Sequence, residues 1–119
     1  MFKLVMLLRK RPDITREQFI DHYDNRHVPL MHSLQAKGAA VHRRNFVVPP
    51  EDGSRPEYDA IVEIFYEDLA TAQGAASAIA DPEVRRQMLE DEDRFIERGS
   101  IRRYVVEVHE TVYRPIAGA

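Results

Sequence analysis

The run Phe2 to Leu8 (FKLVMLL) limits the possible folds more than any other stretch of the chain. It is closed by Arg9-Lys10-Arg11 and Pro12, is too short for a free helix, and fits a strand buried on both faces. Such a strand needs apolar cover on two sides. Tyr58 to Tyr66 (YDAIVEIFY) is the second strongly apolar strand, and Val41 to Val48 (VHRRNFVV) reads as an edge strand with charge in its middle. Arg102 to Arg114 (RRYVVEVHETVYR) reads as a long last strand stopped by Pro115, with a loose tail after it.

Between the strands lie two helical regions. Thr15 is an N-cap, Gln18 completes a capping box, and Ile14 with Phe19 has the spacing of a hydrophobic staple. Phe19, Tyr23, His27, Leu30, Met31 and Leu34 follow in helical steps along one face. Pro29 has no N–H for the carbonyl of Asn25, which predicts a kink or restart beside His27. This helix should end at Gly38, with Lys37 in its last turn. Asp68 caps a second helix with an alanine-rich inner stripe of Leu69, Ala72, Ala76 and Ile79, suited to close approach to a sheet. Asp81-Pro82 restarts it, and Val84, Met88, Phe95 and Ile96 supply apolar contacts up to Gly99. The acidic run Glu90 to Asp93 reads as a solvated face.

The order strand, helix, strand, strand, helix, strand is the split βαβ plan of α+β ferredoxin-like domains. It predicts a four-stranded antiparallel sheet, helices on one face, and the two apolar strands at the centre. Those helices leave one face uncovered, and FKLVMLL together with Tyr104, Val105, Val106 and Val108 puts apolar atoms there. A second copy is the simplest cover, so we expect a homodimer joined sheet to sheet.

Size and composition narrow the function. A chain of 119 residues makes one domain, residues 1–119, and a net charge of −3 argues against a nucleic-acid partner. With no cysteine there are no disulfides, thiol nucleophiles or thiolate metal sites. Met1 to Leu8 is too short to span a membrane and lacks the features of a signal peptide, so the expected compartment is the cytoplasm. No Gly-rich phosphate loop and no GxSxG elbow is present.

His27 is the leading catalytic candidate. Imidazole titrates near neutrality and can take a proton from a carbon acid and return it to an oxygen. The competing reading is a buried histidine bonded to the carbonyl that Pro29 frees. Tyr23 could donate to a developing enolate oxygen, or simply pack. Asp59 and Glu63 lie on a central strand and need partners such as Lys3, Arg9 or His109. Asp59 could orient His27 or act as a second acid or base. Glu63 is a candidate substrate contact, and more simply half of an ion pair at the dimer interface. His22, His27 and His32 recur every five residues, which on an α-helix points them apart, so no metal site is expected. His22 beside Asp21 reads as solvent-exposed. Glu107 and His109 share one face of the last strand and suggest an ion-pair cluster.

Over RKRPDITREQFIDHYDNRHVPLM the chain resembles the EthD-domain family of the dimeric α+β barrel superfamily. Arg9 to Pro12, Glu17, Phe19, Tyr23, His27 and Pro29 carry the resemblance, with Tyr58-Asp59 and Glu63 further on. It implies a dimeric α+β barrel, no cofactor, and a catalytic histidine at His27. The family includes fungal polyketide dehydratases, proteins of ether-degradation clusters and relatives of methylmuconolactone isomerases. Tyr23 stands where many relatives have tryptophan, and the cysteines of the lactone isomerases are missing, which counts against that particular chemistry. The expectation is a small cofactor-independent lyase or isomerase for a hydrophobic oxygenated cyclic or aromatic compound. Its pocket would lie between the sheet and the first helix, lined by Phe19, Tyr23, Leu30, Met31 and residues of the central strands. A non-catalytic ligand-binding protein and a cofactor-free monooxygenase are the alternatives.

Overall fold

The computed structural model describes residues 1–35, 39–76 and 81–117. Strand β1 (Phe2–Leu8) leads into α1 (Arg16–His22), a π-helical turn (Tyr23–His27) and α2 (Val28–Gln35). Strands β2 (Ala39–Phe46) and β3 (Ala60–Tyr66) follow, then α3 (Leu69–Ala76), α4 (Pro82–Glu92) and β4 (Arg102–Glu107). The sheet is antiparallel in the order β2-β3-β1-β4, so the two apolar strands are central as expected. The expected helix end at Gly38, Lys37 before it, and Ile79 lie outside the described residues.

Local signals act where the residues place them. Thr15 Oγ1 accepts from Gln18 N at 3.1 Å, while Thr15 N donates to Gln18 Oε1 at 2.9 Å. Asp68 and Asp81 cap α3 and α4 through Thr71 N and Glu83 N, at 2.7 and 2.8 Å. Strand β4 stops at Glu107, well short of Arg114, because β1 begins at Phe2, the partner of Glu107. A last bond runs from Val108 N to Met1 O. Helix α4 likewise ends at Glu92 rather than near Gly99, and Ile96 then bridges to Lys10. Gly99 sits in the left-handed region (φ 78°), in the turn into β4.

Side chains alternate across the sheet. Leu4, Met6 and Leu8 of β1 and Ala60, Val62 and Ile64 of β3 face the helices, with Phe19, Tyr23, Phe95 and Ile96 packed on them. Ala72 is fully buried, and α3 lies close against β1 and β4, as its small side chains permit. The opposite face shows Val5, Leu7, Ile61, Phe65 and Tyr104 around a polar centre, with Ile61 and Tyr104 exposed. There Glu63 is paired with Lys3, accepts from Asn45 at 3.0 Å, and lies 3.8 Å from Arg43. No helix among the described residues is long and apolar enough to cross a membrane.

The candidate functional site

The site grows from the π-helical turn. Val28 N–H donates to Tyr23 O, five residues back. One extra residue per turn accommodates the missing N–H of Pro29, and α2 restarts at Val28, the restart being one of the two expected outcomes. It also changes which side chains align. In an α-helix, positions five apart diverge, but where hydrogen bonds close on the fifth residue they stack. His22 and His27 therefore converge, contrary to the expectation from α-helical geometry.

They converge on Asp91. His27 Nδ1 lies 2.7 Å from Asp91 Oδ2 and His22 Nε2 lies 3.0 Å from Asp91 Oδ1. The Asp91 side chain is only 4% exposed. The reading of Glu90 to Asp93 as a solvated face fails at this residue, and His22, at 22% side-chain exposure, is not a free surface histidine. Asp91 is held in place by the chain that follows α4. Phe95 O accepts from Arg11 N at 2.9 Å and Arg9 O from Glu97 N at 2.8 Å, tying this segment beside the start of α1. Phe95, fully buried, packs tilted against both rings, 4.7 Å from His22 and 5.0 Å from His27 between ring centroids.

Charge states follow from these surroundings. Burial opposes ionisation of Asp91, but hydrogen bonds from His27 and His22 and their charges outweigh it, holding the carboxyl below its usual range. Burial pushes the His27 pKa down, against the pull of Asp91, so the ring is neutral at neutral pH. A neutral His27 beside an ionised carboxylate carries its proton on Nδ1 and a lone pair on Nε2. Among the described residues Nε2 has no partner.

Tyr23 is 1% exposed, edge-on to His27 at 5.3 Å, and its hydroxyl lies 3.2 Å from His42 Nε2. Burial pushes the phenol pKa up, so it keeps its proton. Burial, then the Arg44 charge and His27, push His42 down to about 4. Of the two possible directions for this bond, only donation by the phenol satisfies a buried O–H, which unpaired would cost about 1–3 kcal/mol. Arg44, on the same face of β2, donates to Asp24 at 2.8 Å.

The expected pocket residues divide. Phe19 is 1% exposed and belongs to the aromatic core with Tyr23, Phe46 and Phe95. Leu30 and Met31 are half-buried on α2. Asp59 does not orient His27. Its Oδ2 accepts from Lys10 N at 2.8 Å and lies 3.5 Å from Arg55, bracing the turn after β1. Glu63 lies on the open face, away from this cluster, paired with Lys3, one of the three partners expected. A cleft of about 300 Å3 between Arg9, Tyr58, Ser100 and Arg102 includes none of Phe19, Tyr23, Leu30 and Met31. Arg9 Nε there pairs with Glu97 by charge at 2.9 Å, off the line of a hydrogen bond. Among the described residues no group of three His, Asp or Glu side chains is arranged to hold a metal.

The residues missed from sequence are Asp91, His42, Arg44 and Phe95's role as a packing platform. Val84, Met88, Asp91 and Phe95 recur at helical spacing, so Asp91 occupied a core position in the pattern. His42, Arg44 and Phe46 alternate along one face of β2, which pointed two polar side chains inward.

Comparison with known proteins follows the same lines. The family model described as EthD domain matches residues 11–99. An ethyl tert-butyl ether D (EthD) family protein from Bacillus halodurans has a similar structure, with TM-score 0.63 and 22% identity over 92% of this chain and 99% of that one. A dimeric protein of unknown function with a ferredoxin-like fold, from Bacteroides fragilis, gives TM-score 0.58 at 11% identity, covering 90% and 95%. A candidate antibiotic biosynthesis monooxygenase from Deinococcus radiodurans gives 0.55 at 14% identity, covering 97% and 99%. No curated protein matches the chain.

Proposed function

The chain belongs to the EthD domain family, and from that premise we propose that it is a cofactor-independent lyase or isomerase with His27 as general base. The observation that carries this reading is the Asp91–His27 pair. A carboxylate on Nδ1 fixes the tautomer, orients the ring and stabilises the imidazolium that forms when Nε2 takes a proton. The substrate class that suits it is a small hydrophobic oxygenated compound, cyclic or aromatic, with an acidic carbon–hydrogen bond beside a carbonyl. Proton removal leaves an enolate. Returning the proton to another carbon gives an isomer, and delivering it to a departing β-hydroxyl gives a dehydration product. A purely ligand-binding protein would leave His27 satisfied by backbone, whereas here its partner is a buried side chain.

Tyr23 serves in this reading as the wall that sets the His27 ring, its hydroxyl being committed to His42. We further propose a homodimer through the open sheet face, supported by the apolar residues there and by the dimeric Bacteroides fragilis neighbour. The cysteine-free sequence fits the cytoplasm.

The test is incorporation of deuterium from D2O into a panel of cyclic 1,3-diketones and aryl ketones, followed by proton NMR. His27→Ala is expected to slow exchange at least 100-fold, in the ordinary range for a general base; exchange at the wild-type rate sinks the assignment. The Deinococcus radiodurans neighbour favours one second reading, a monooxygenase needing no cofactor. It requires oxygen uptake with electron-rich phenols, and no uptake removes it.

A further inference from the structure

His42 is the imidazole in this cluster that the Asp91 pair does not account for. Its partner across the ladder is Ile64, which packs on the core, so His42 faces the helices from β2. Its Nε2 accepts the Tyr23 hydroxyl at 3.2 Å, which leaves the proton of the neutral ring on Nδ1. Among the described residues nothing accepts from that Nδ1–H. The Tyr23 ring is flanked edge-on by His27 at 5.3 Å and by His42 at 5.8 Å. Two imidazoles thus border one phenol with complementary atoms that find no partner among the described residues, a lone pair on His27 and an N–H on His42.

We propose that His42 is the oxyanion-holding catalytic group of this site, donating its Nδ1–H to the carbonyl oxygen of a ketone whose adjacent carbon loses its proton to His27 Nε2. The assignment rests on the reading of His27 as base. In the step, the C–H electron pair becomes the C=C bond of the enolate and the carbonyl π pair moves onto oxygen. The proton resides on His27 until it is returned to carbon or leaves with a β-hydroxyl as water. No oxidant or reductant enters. A neutral imidazole is suited to this part, since it donates a hydrogen bond without surrendering a proton to the enolate. Burial first, then the Arg44 charge on its own strand and His27 beyond the phenol, keep His42 neutral against the opposing pull of Asp24, which is paired to Arg44. The substrate class this selects is a ketone or 1,3-dicarbonyl compound.

The probe is 4-nitrophenol, whose phenolate imitates an enolate oxygen and reports its ionisation by visible absorption. The amide nitrogen of asparagine falls where His Nδ1 lies, and the amide end of glutamine reaches where Nε2 lies. His42→Asn is therefore expected to keep phenolate binding within threefold, and His42→Gln to weaken it at least tenfold while still serving Tyr23, with far-ultraviolet circular dichroism verifying both folds. The opposite order, equal affinity in both variants, or no phenolate binding by the wild type overturns the proposal. His27→Ala separates the two readings. Lost deuterium exchange with phenolate binding retained upholds both, and exchange at the wild-type rate removes the base while the binding result on His42 stands.

Discussion

His22 and His27 stand five positions apart in the chain and meet at one carboxylate, His22 Nε2 on one oxygen of Asp91 and His27 Nδ1 on the other. The carboxylate fixes both rings, and the π-helical turn is what lets it do so. Asp91→Asn keeps the shape but offers one acceptor in place of two. It should destabilise the fold by about 1–3 kcal/mol in urea unfolding, the cost of a buried polar group left unsatisfied. It should also move the His27 proton between ring nitrogens, which 15N NMR would detect; an unchanged tautomer would count against the Asp91–His27 assignment.

Acid should weaken the fold in two stages. His27 and His42 have folded pKa values below 6.5, His42 at about 4. As pH falls through 6.5 the unfolded chain takes up protons that the folded chain refuses, so stability drops between pH 6.5 and about 4. His42 contributes roughly 1–2 kcal/mol once solvent screening of its partly exposed ring is allowed for. Asp91 is shifted down in the folded state, so its contribution is full above pH 3.8 and is lost below that. Urea midpoints at pH 7, 5 and 4 check the first stage, and His42→Asn should flatten it.

Phe95→Ala tests the platform on which both histidines rest. The ring is fully buried and touches Phe19, His22, Tyr23 and His27. Stability should fall by about 3–5 kcal/mol. The aromatic-shifted histidine resonances should move with it.

Ile61→Glu places a charge on the open face of the sheet, where Ile61 is 40% exposed in the single chain. Sedimentation should show the dimer dissociation constant raised at least ~100-fold, about 2.7 kcal/mol, with the circular dichroism of the subunit retained. A monomeric wild type would refute the dimer proposal at once.

The sequence carried the architecture because its signals are local or periodic. Caps at Thr15, Asp68 and Asp81, the apolar runs at Phe2–Leu8 and Ala60–Tyr66, and the alanine-rich stripe each specify their element without outside help. His27 was visible as a titratable group on an apolar face, but its partner was not. The pairing depends on a change of helical pitch over five residues, which Pro29 announces only as a disturbance, and on a carboxylate 64 positions away. Asp59 looked like the better partner because it opens a central strand. It is instead consumed by the backbone of Lys10, a contact no periodicity encodes.

The split βαβ plan divides the chain into two halves of like form but unlike content. The first half contributes His22, Tyr23, His27, His42 and Arg44; the second has an alanine-built α3 pressed on the sheet and lends Asp91 from α4 and Phe95 from the segment after it. The chemistry thus straddles an internal pseudo-symmetry, and neither half contains it. A nick in the exposed loop between residues 49 and 57 would yield two fragments, each with an incomplete set of groups, and the His22–Asp91–His27 linkage would exist only after they reassociate.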